Sequence, residues 1–329
     1  MCTALTIATS NGYHLFGRSL DSSHNFNLTV HFIPRNYIWK NVITNKTNNI
    51  KYAILGMGII SDGHPLIADG FNEKGLACAA LNFPDYTSYN KDLINGKINI
   101  GPYDLILWIL SNFEKVSEVK NALKNINIVN MPFSKSTPIP LIHWLVYDKD
   151  DNCIVIEKIK GKLKIYDNKI GVLTNSPTFD WQITNLRQYI NLTSTQPEEV
   201  MWHNQQLTPL SNGIGLTGFP GDFSSVSRFI RAAYLKSHVD VGDDEVSGVT
   251  TLFKVLDNTA MIYGSVITSK NLKFKTFYKS SMCLEKGIYY YNTYNNNQVT
   301  AISMFNEDLD TANIKVFPYR NTQSIYSEN

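Results

Sequence analysis

The chain has only four cysteines in 329 residues, and none forms a CxxC pair or sits near a histidine at zinc-finger spacing. The spacing predicts neither a zinc site nor a disulfide framework. Long hydrophobic runs are missing: the longest, Leu105–Leu110, is far too short to span a bilayer. The N-terminus has no basic segment, and its apolar stretch Ala4–Ala8 is too short for a secretory signal, so a cytoplasmic protein is expected. Charge of one sign is also scarce. The net charge is +2 with no basic block, which gives a nucleic-acid role no electrostatic support. There is no internal repeat, low-complexity tract or linker-like shift in composition, and residues 1–329 read as one domain. At 43% hydrophobic and 18% charged, the composition suits a globular protein with a large core.

What is present begins at the second residue. Met1 is easily lost before a small residue, and Cys2 would then carry both a thiol and a free α-amine. A thiol attacks as its thiolate, and an α-amine with a reference pKa near ~7.7–8.0 can take that proton around neutral pH. Cys78 and Cys153 lie in apolar runs and read as inert core thiols.

Strand patterns dominate. Residues 3–9 and 13–16 flank the turn Ser10-Asn11-Gly12, a hairpin that sets Cys2 near Gly17-Arg18. Further strands are predicted at 28–33, 52–59, 75–81, 142–147, 153–159, 162–166, 287–294, 298–304 and 314–319. Helical periodicity marks 103–113, 117–124, 251–260 and, most clearly, 224–236. There Val226, Phe229, Ile230, Ala233 and Tyr234 form one apolar face, with Asp222 or Ser224 as cap. The pattern predicts layered α and β with antiparallel hairpins. Residues 191–212 read as a long loop or projecting arm. Gly213-Ile-Gly215-Leu-Thr-Gly218 matches GxGxxG, but a loop precedes it and Pro220-Gly221 follows, so turn-forming glycines account for it better than a dinucleotide site.

A terminal thiol catalyst needs a cation for the thiolate, an acceptor for the amine and donors for an oxyanion. Arg18 and Asp21, just beyond the first hairpin, are placed to supply the first two. From spacing alone, solvated turn charges account for them better. Asn82 and Asn175 end apolar strands, where Asn is a turn former and equally an N–H donor. Arg228 lies off the most apolar face of its helix, which reads first as a surface position and second as another cation at the site.

Taken in order, Met1-Cys2-Thr3, Phe16-Gly17-Arg18-x-x-Asp21, Asn72-Glu73-Lys74-Gly75-Leu76, Leu81-Asn82-Phe83-Pro84, Leu173 to Asp180 and Gly218 to Phe229 resemble the choloylglycine hydrolase family, most closely its bile salt hydrolase branch. The resemblance covers nearly the whole chain. It implies an α+β fold, the four-layer αββα sandwich of N-terminal nucleophile hydrolases. It implies hydrolysis of glycine- or taurine-conjugated bile acids through a thioester on Cys2, with no metal or cofactor. Arg18 would support the thiolate and Asp21 orient the amine. Asn82 and Asn175 would bind the oxyanion and hold the terminus, and Arg228 would add positive charge. Leu20, Phe26, Ala68, Phe133 and Leu141 would line the acyl pocket with Asn82; each is equally an ordinary core residue. Residues 191–212 look like the family's assembly loop, implying a homotetramer. The sister activity is penicillin V acylase, whose branch tends to carry Tyr at the position of Asn82. Ser61 stands where relatives often have a larger apolar or aromatic residue, and the nearby His64 reads as a loop residue.

Overall fold

The computed structural model describes residues 1–135 and 137–329. In chain order the strands are β1 (Cys2–Ala8), β2 (His14–Ser22), β3 (Thr29–Ile33), β4 (Ile38–Lys40), β5 (Thr47–Asn49), β6 (Ile54–Ser61), β7 (His64–Asn72), β8 (Ala77–Asn82), β9 (Ile98–Ile100), β10 (Ile126–Ile128), β11 (Ile142–Tyr147), β12 (Cys153–Ile159), β13 (Lys162–Asp167), β14 (Val172–Leu173), β15 (Val200–Trp202), β16 (Gln205–Leu207), β17 (Lys275–Cys283), β18 (Ile288–Thr293), β19 (Asn296–Ser303) and β20 (Lys315–Phe317). The helices are α1 (Leu105–Asn112), α2 (Val116–Ala122), α3 (Phe179–Leu186), α4 (Ser225–His238) and α5 (Glu245–Asp257).

Two antiparallel sheets dominate, one ordered β14-β1-β2-β17-β18-β19 and the other β13-β12-β11-β8-β7-β6-β3-β20. α4 and α5 cover the first and α1 covers the second, giving four layers, αββα. β1 is buried along six of its seven residues, as expected for a strand covered on both faces. One apolar core, with Phe16, Phe32, Phe71, Tyr147 and Phe229, fills the space between the sheets and under α4 and α5. A second, around Trp144, Leu107 and Trp39, lies beneath α1.

The hairpin turn at residues 9–13 has Gly12 at φ 81°, a left-handed conformation that favours glycine. β2 is longer than the sequence pattern suggests. Arg18 and Asp21 therefore lie within the strand, with Cys2 paired to Leu20 and Ala4 to Arg18. Strands β7 and β17 and helix α3 were not legible in the sequence pattern, and α5 begins six residues earlier than its periodic stretch. His64 is not a loop residue: it opens β7, is buried, and its Nε2 lies 2.7 Å from Asp104 Oδ1. The GxGxxG segment holds a short 3-10 turn between Gly213 and Gly218, both at positive φ, and no Rossmann-type helix. Residues 191–212 carry the hairpin β15–β16, exposed at every position. No helix among the described residues is long and apolar enough to cross a membrane.

Candidate active site

Cys2 opens β1 and is buried in the core between the sheets. Two side chains grip its backbone. Its N–H donates to Asn175 Oδ1 at 3.0 Å, and its carbonyl accepts from Arg228 Nη1 at 2.6 Å. Arg228 Nη1 also donates to Thr3 Oγ1 at 2.8 Å, Nη2 to Asn175 Oδ1 at 2.6 Å, and Nε to the Phe223 carbonyl at 3.0 Å. The surface position first read for Arg228 is thus overturned: the side chain is 0% exposed. The first half of α4 is buried on more than one face, so the off-stripe position points inward. Ser224 caps that helix, its Oγ accepting from the Ser227 N–H, while Asp222 braces the cap by accepting from Ser224 N–H at 2.8 Å and Ser227 Oγ at 2.6 Å.

Asn175 is held from two directions. Its N–H donates to Ser225 Oγ at 2.8 Å, and its Nδ2 donates to the Asn82 carbonyl at 2.6 Å. The preceding Thr174 carbonyl accepts from His143 Nε2 at 3.0 Å, and the His143 ring stacks on Phe83 at 4.2 Å. One buried histidine therefore ties together the two segments that present Asn82 and Asn175. His143 gave no sequence signal beyond its place in an apolar strand. The Asn82 side chain is exposed and makes no hydrogen bond to the described residues.

Arg18 and Asp21 are 1% and 2% exposed, so they are not solvated turn charges. Arg18 donates through Nε to the Ser19 carbonyl at 3.1 Å and through Nη1 to the Ala68 carbonyl at 3.3 Å, but its buried Nη2 has no partner among the described residues. Burial opposes its charge, yet Cys2, Tyr278, Asp69 and Asp21 together raise it above the ordinary arginine value. Asp21 Oδ1 accepts from Thr276 Oγ1 at 2.6 Å, while Oδ2 is buried without a hydrogen bond among the described residues, 4.0 Å from Arg228 Nη1. A donor on Arg18 and an acceptor on Asp21 are thus left open on the strand that pairs with Cys2. Buried charged atoms are rarely left unpaired without a ligand or a function. Met1 continues the β1–β2 ladder: its carbonyl accepts from Asp21 N–H at 2.8 Å and its amine donates to the Asp21 carbonyl. Burial lowers that amine below the usual terminal value.

The five residues expected to line an acyl pocket fall in three groups. Leu20 is buried opposite Cys2, and half-buried Ala68 meets Arg18 through its carbonyl. Leu141 is exposed and accepts from Phe83 N–H at 2.7 Å, next to Asn82. Phe133 packs on His64 and Tyr103, and Phe26 is exposed in the loop after β2. The other cysteines are buried and free, and burial pushes Cys153 and Cys283 up to about 12 and Cys78 well above its usual value. Among the described residues no cluster of three or more His, Cys, Asp or Glu is placed to hold a metal ion.

The family profile described as "Linear amide C-N hydrolases, choloylglycine hydrolase family" matches residues 2–317. A "Bile salt hydrolase/transferase" of Clostridium perfringens is 50% identical over 325 residues, 99% of each chain. The crystal structure of a conjugated bile acid hydrolase mutant from the same organism superposes with a TM-score of 0.95 at 49% identity, covering 100% of both chains. A penicillin V acylase from Agrobacterium tumefaciens shares the fold, with a TM-score of 0.76 at 21% identity over 96% of this chain and 90% of its own. The αββα sandwich is of the N-terminal nucleophile hydrolase type, and the chain belongs to the choloylglycine hydrolase family of linear amide C–N hydrolases.

Proposed function

We propose that the protein hydrolyses the amide bond of glycine- or taurine-conjugated bile acids, with Cys2 as nucleophile once Met1 is removed. The observation that carries the substrate class is the full-length, 50% identical relative named for bile salts. The proposed chemistry rests on the site. Removal of Met1 turns the nitrogen that donates to Asn175 into an α-amine, and the free Asp21 Oδ2 is the acceptor that orients it. The amine takes the thiol proton, and the free Nη2 of Arg18 supports the thiolate.

The thiolate attacks the substrate carbonyl. The resulting oxyanion is met by the uncommitted side chain of Asn82, while Asn175 and Arg228, already engaged with the backbone of Cys2, fix the geometry. The C–N bond breaks as the ammonium passes its proton to the departing glycine or taurine. A thioester remains. Water, deprotonated by the same amine, releases the bile acid and restores the thiol. An amine in place of water would take the acyl group, a transfer reaction, and the relative's name includes "transferase". Leu20, Ala68, Phe133, Leu141 and Phe26 are proposed as the apolar rim for the steroid. The exposed hairpin β15–β16, with Met201 and Trp202, is proposed as the arm that docks on a second copy in a homotetramer.

Ninhydrin detection of glycine and taurine from glycocholate and taurocholate, with penicillin V in parallel and the intact mass recorded, tests the reading. Release from bile salts by protein lacking Met1 supports it. Turnover of penicillin V alone would overturn the substrate assignment.

A further inference from the structure

Asp69 is a fully buried carboxylate that the chemistry above does not use. It lies on β7, in the eight-stranded sheet, yet its partners come from the facing six-stranded sheet. Oδ1 accepts from Tyr289 Oη at 2.6 Å and from Ser280 Oγ at 3.2 Å. Oδ2 accepts from Tyr278 Oη and lies 3.6 Å from Arg18 Nη1. Three hydroxyls and a guanidinium therefore converge on one carboxylate between the sheets. Burial pushes both tyrosines well above their usual range, which keeps them protonated as donors.

Two β-bulges build this arrangement. In the β6–β7 pair, Met57 faces Asp69 and Gly58 faces Ile67, so Ala68 is the extra residue. The bulge turns the Ala68 carbonyl toward Arg18 Nη1. It also needs glycine opposite: a Cβ on Gly58 would lie 2.3 Å from the Leu66 carbonyl oxygen. In the β2–β17 pair, Thr276 faces Asp21 and Tyr278 faces Leu20, so Phe277 is extra. That bulge lets neighbouring positions of β17 serve both carboxylates, Thr276 on Asp21 and Tyr278 on Asp69.

We propose that Asp69 is a positioning residue for the reaction: with Ala68 it holds the Arg18 guanidinium so that Nη2 stays open toward Cys2, and its charge sets how strongly Arg18 acidifies the thiol. Charge counting supports this. Burial raises the Asp69 carboxyl above its ordinary value, while Arg18 and the three hydroxyls oppose that rise. With Asp69 counted as a carboxylate, it and Asp21 balance Arg18 and Arg228. A thiolate–ammonium pair on mature Cys2 then adds no net charge to a buried site. A low-dielectric interior penalises any other total. A thiol made too acidic is also a weaker nucleophile, so an uncompensated Arg18 would cost rate. The inference rests on the role given to Cys2 above, but its readout does not need the bile salt assignment.

The test is the pH dependence of Cys2 alkylation by iodoacetamide, followed on the Cys2 peptide by mass spectrometry in protein lacking Met1. The charged and titratable groups facing Asp69 are Arg18 on β2, Tyr278 on β17, Tyr289 on β18 and Cys78 on β8. Those acting on Cys2 are the terminal amine, Arg18, Arg228 and Tyr278, and Asp21 acts on the terminal amine. Asp69→Asn keeps the shape and removes the charge. It is expected to move the alkylation midpoint down by about one pH unit, about tenfold in rate below both midpoints, and to lower kcat several-fold with KM nearly unchanged. A purely structural role would lower the melting temperature and leave the midpoint in place. An unmoved midpoint in folded Asp69→Asn protein overturns the proposal.

If Asp69→Asn fails to fold, Tyr289→Phe replaces it. Losing one donor raises the carboxyl and gives a smaller shift in the same direction, and no shift there overturns the proposal equally. Cys2→Ala protein that still releases glycine from glycocholate would instead sink the mechanism of the preceding section, whatever the alkylation profiles show.

Discussion

The strand end around Cys2 and the arm at residues 191–212 are opposite kinds of structure. At Cys2 both backbone polar groups are engaged, the N–H by Asn175 just after β14 and the carbonyl by Arg228 on α4, with Leu20 of β2 opposite. In the arm, Val200, Met201, Trp202 and Leu210 are 50–93% exposed and the hairpin hydrogen-bonds mainly to itself. The first region is determined from within the chain. The second exposes apolar surface that its own chain does not cover, which is how an interface is recognised. The proposed chemistry lies where geometry is over-determined, and the proposed docking arm where it is not.

The largest effect expected is on activity. Cys2→Ala should abolish turnover with an unchanged circular dichroism spectrum; residual turnover would break the assignment of chemistry to this strand. Arg228→Ala comes next. It leaves the Cys2 carbonyl without its buried donor and takes one of two donors from Asn175 Oδ1, and should cost about 3–5 kcal/mol of stability as well as most activity, measured by urea melts and steady-state kinetics. Thr276→Val removes the donor to Asp21 and the acceptor for the Met261 N–H. It should cost about 1–3 kcal/mol and lower kcat more than it changes KM.

Away from the site the effects shrink. The His14 imidazole is raised by its hydrogen bond to Glu285. Its contribution is fully present below the ordinary histidine value and is lost as pH rises through the raised one. The partly exposed pair should be worth less than about 1 kcal/mol. Melting temperatures of the parent and His14→Gln should therefore differ at pH 5.5 and converge at pH 9. Trp202→Ala should change the stability of the folded chain by no more than about 0.5 kcal/mol, yet shift the sedimentation profile toward smaller species.

Legibility in the sequence followed the same division. Layered α and β, the first hairpin and the capped α4 could be read because alternation, turn residues and helical spacing are local signals. Cys2 stood out through its position. Arg18, Asp21 and Arg228 were readable as candidates but not as buried, because what buries them is the facing sheet and a helix covered on more than one side. β7 and β17 escaped notice. β7 interrupts its apolar positions with Pro65, Asp69 and Gly70, and β17 with Lys275, Lys279 and two serines, and each carries a bulge that breaks the period of two. Two of the residues that spoil the pattern, Asp69 and Ser280, face Arg18. A polar network between sheets is a long-range property, and no window of sequence contains it.

The account turns on an acyl group passing through the thiol of Cys2. Acid quench of the protein during steady-state turnover of glycocholate, followed by peptide mass spectrometry, tests this most directly. The account predicts a cholyl thioester on the peptide that begins with Cys2 and none in protein that retains Met1. An adduct on another residue, or turnover by protein in which Met1 is intact, would contradict it.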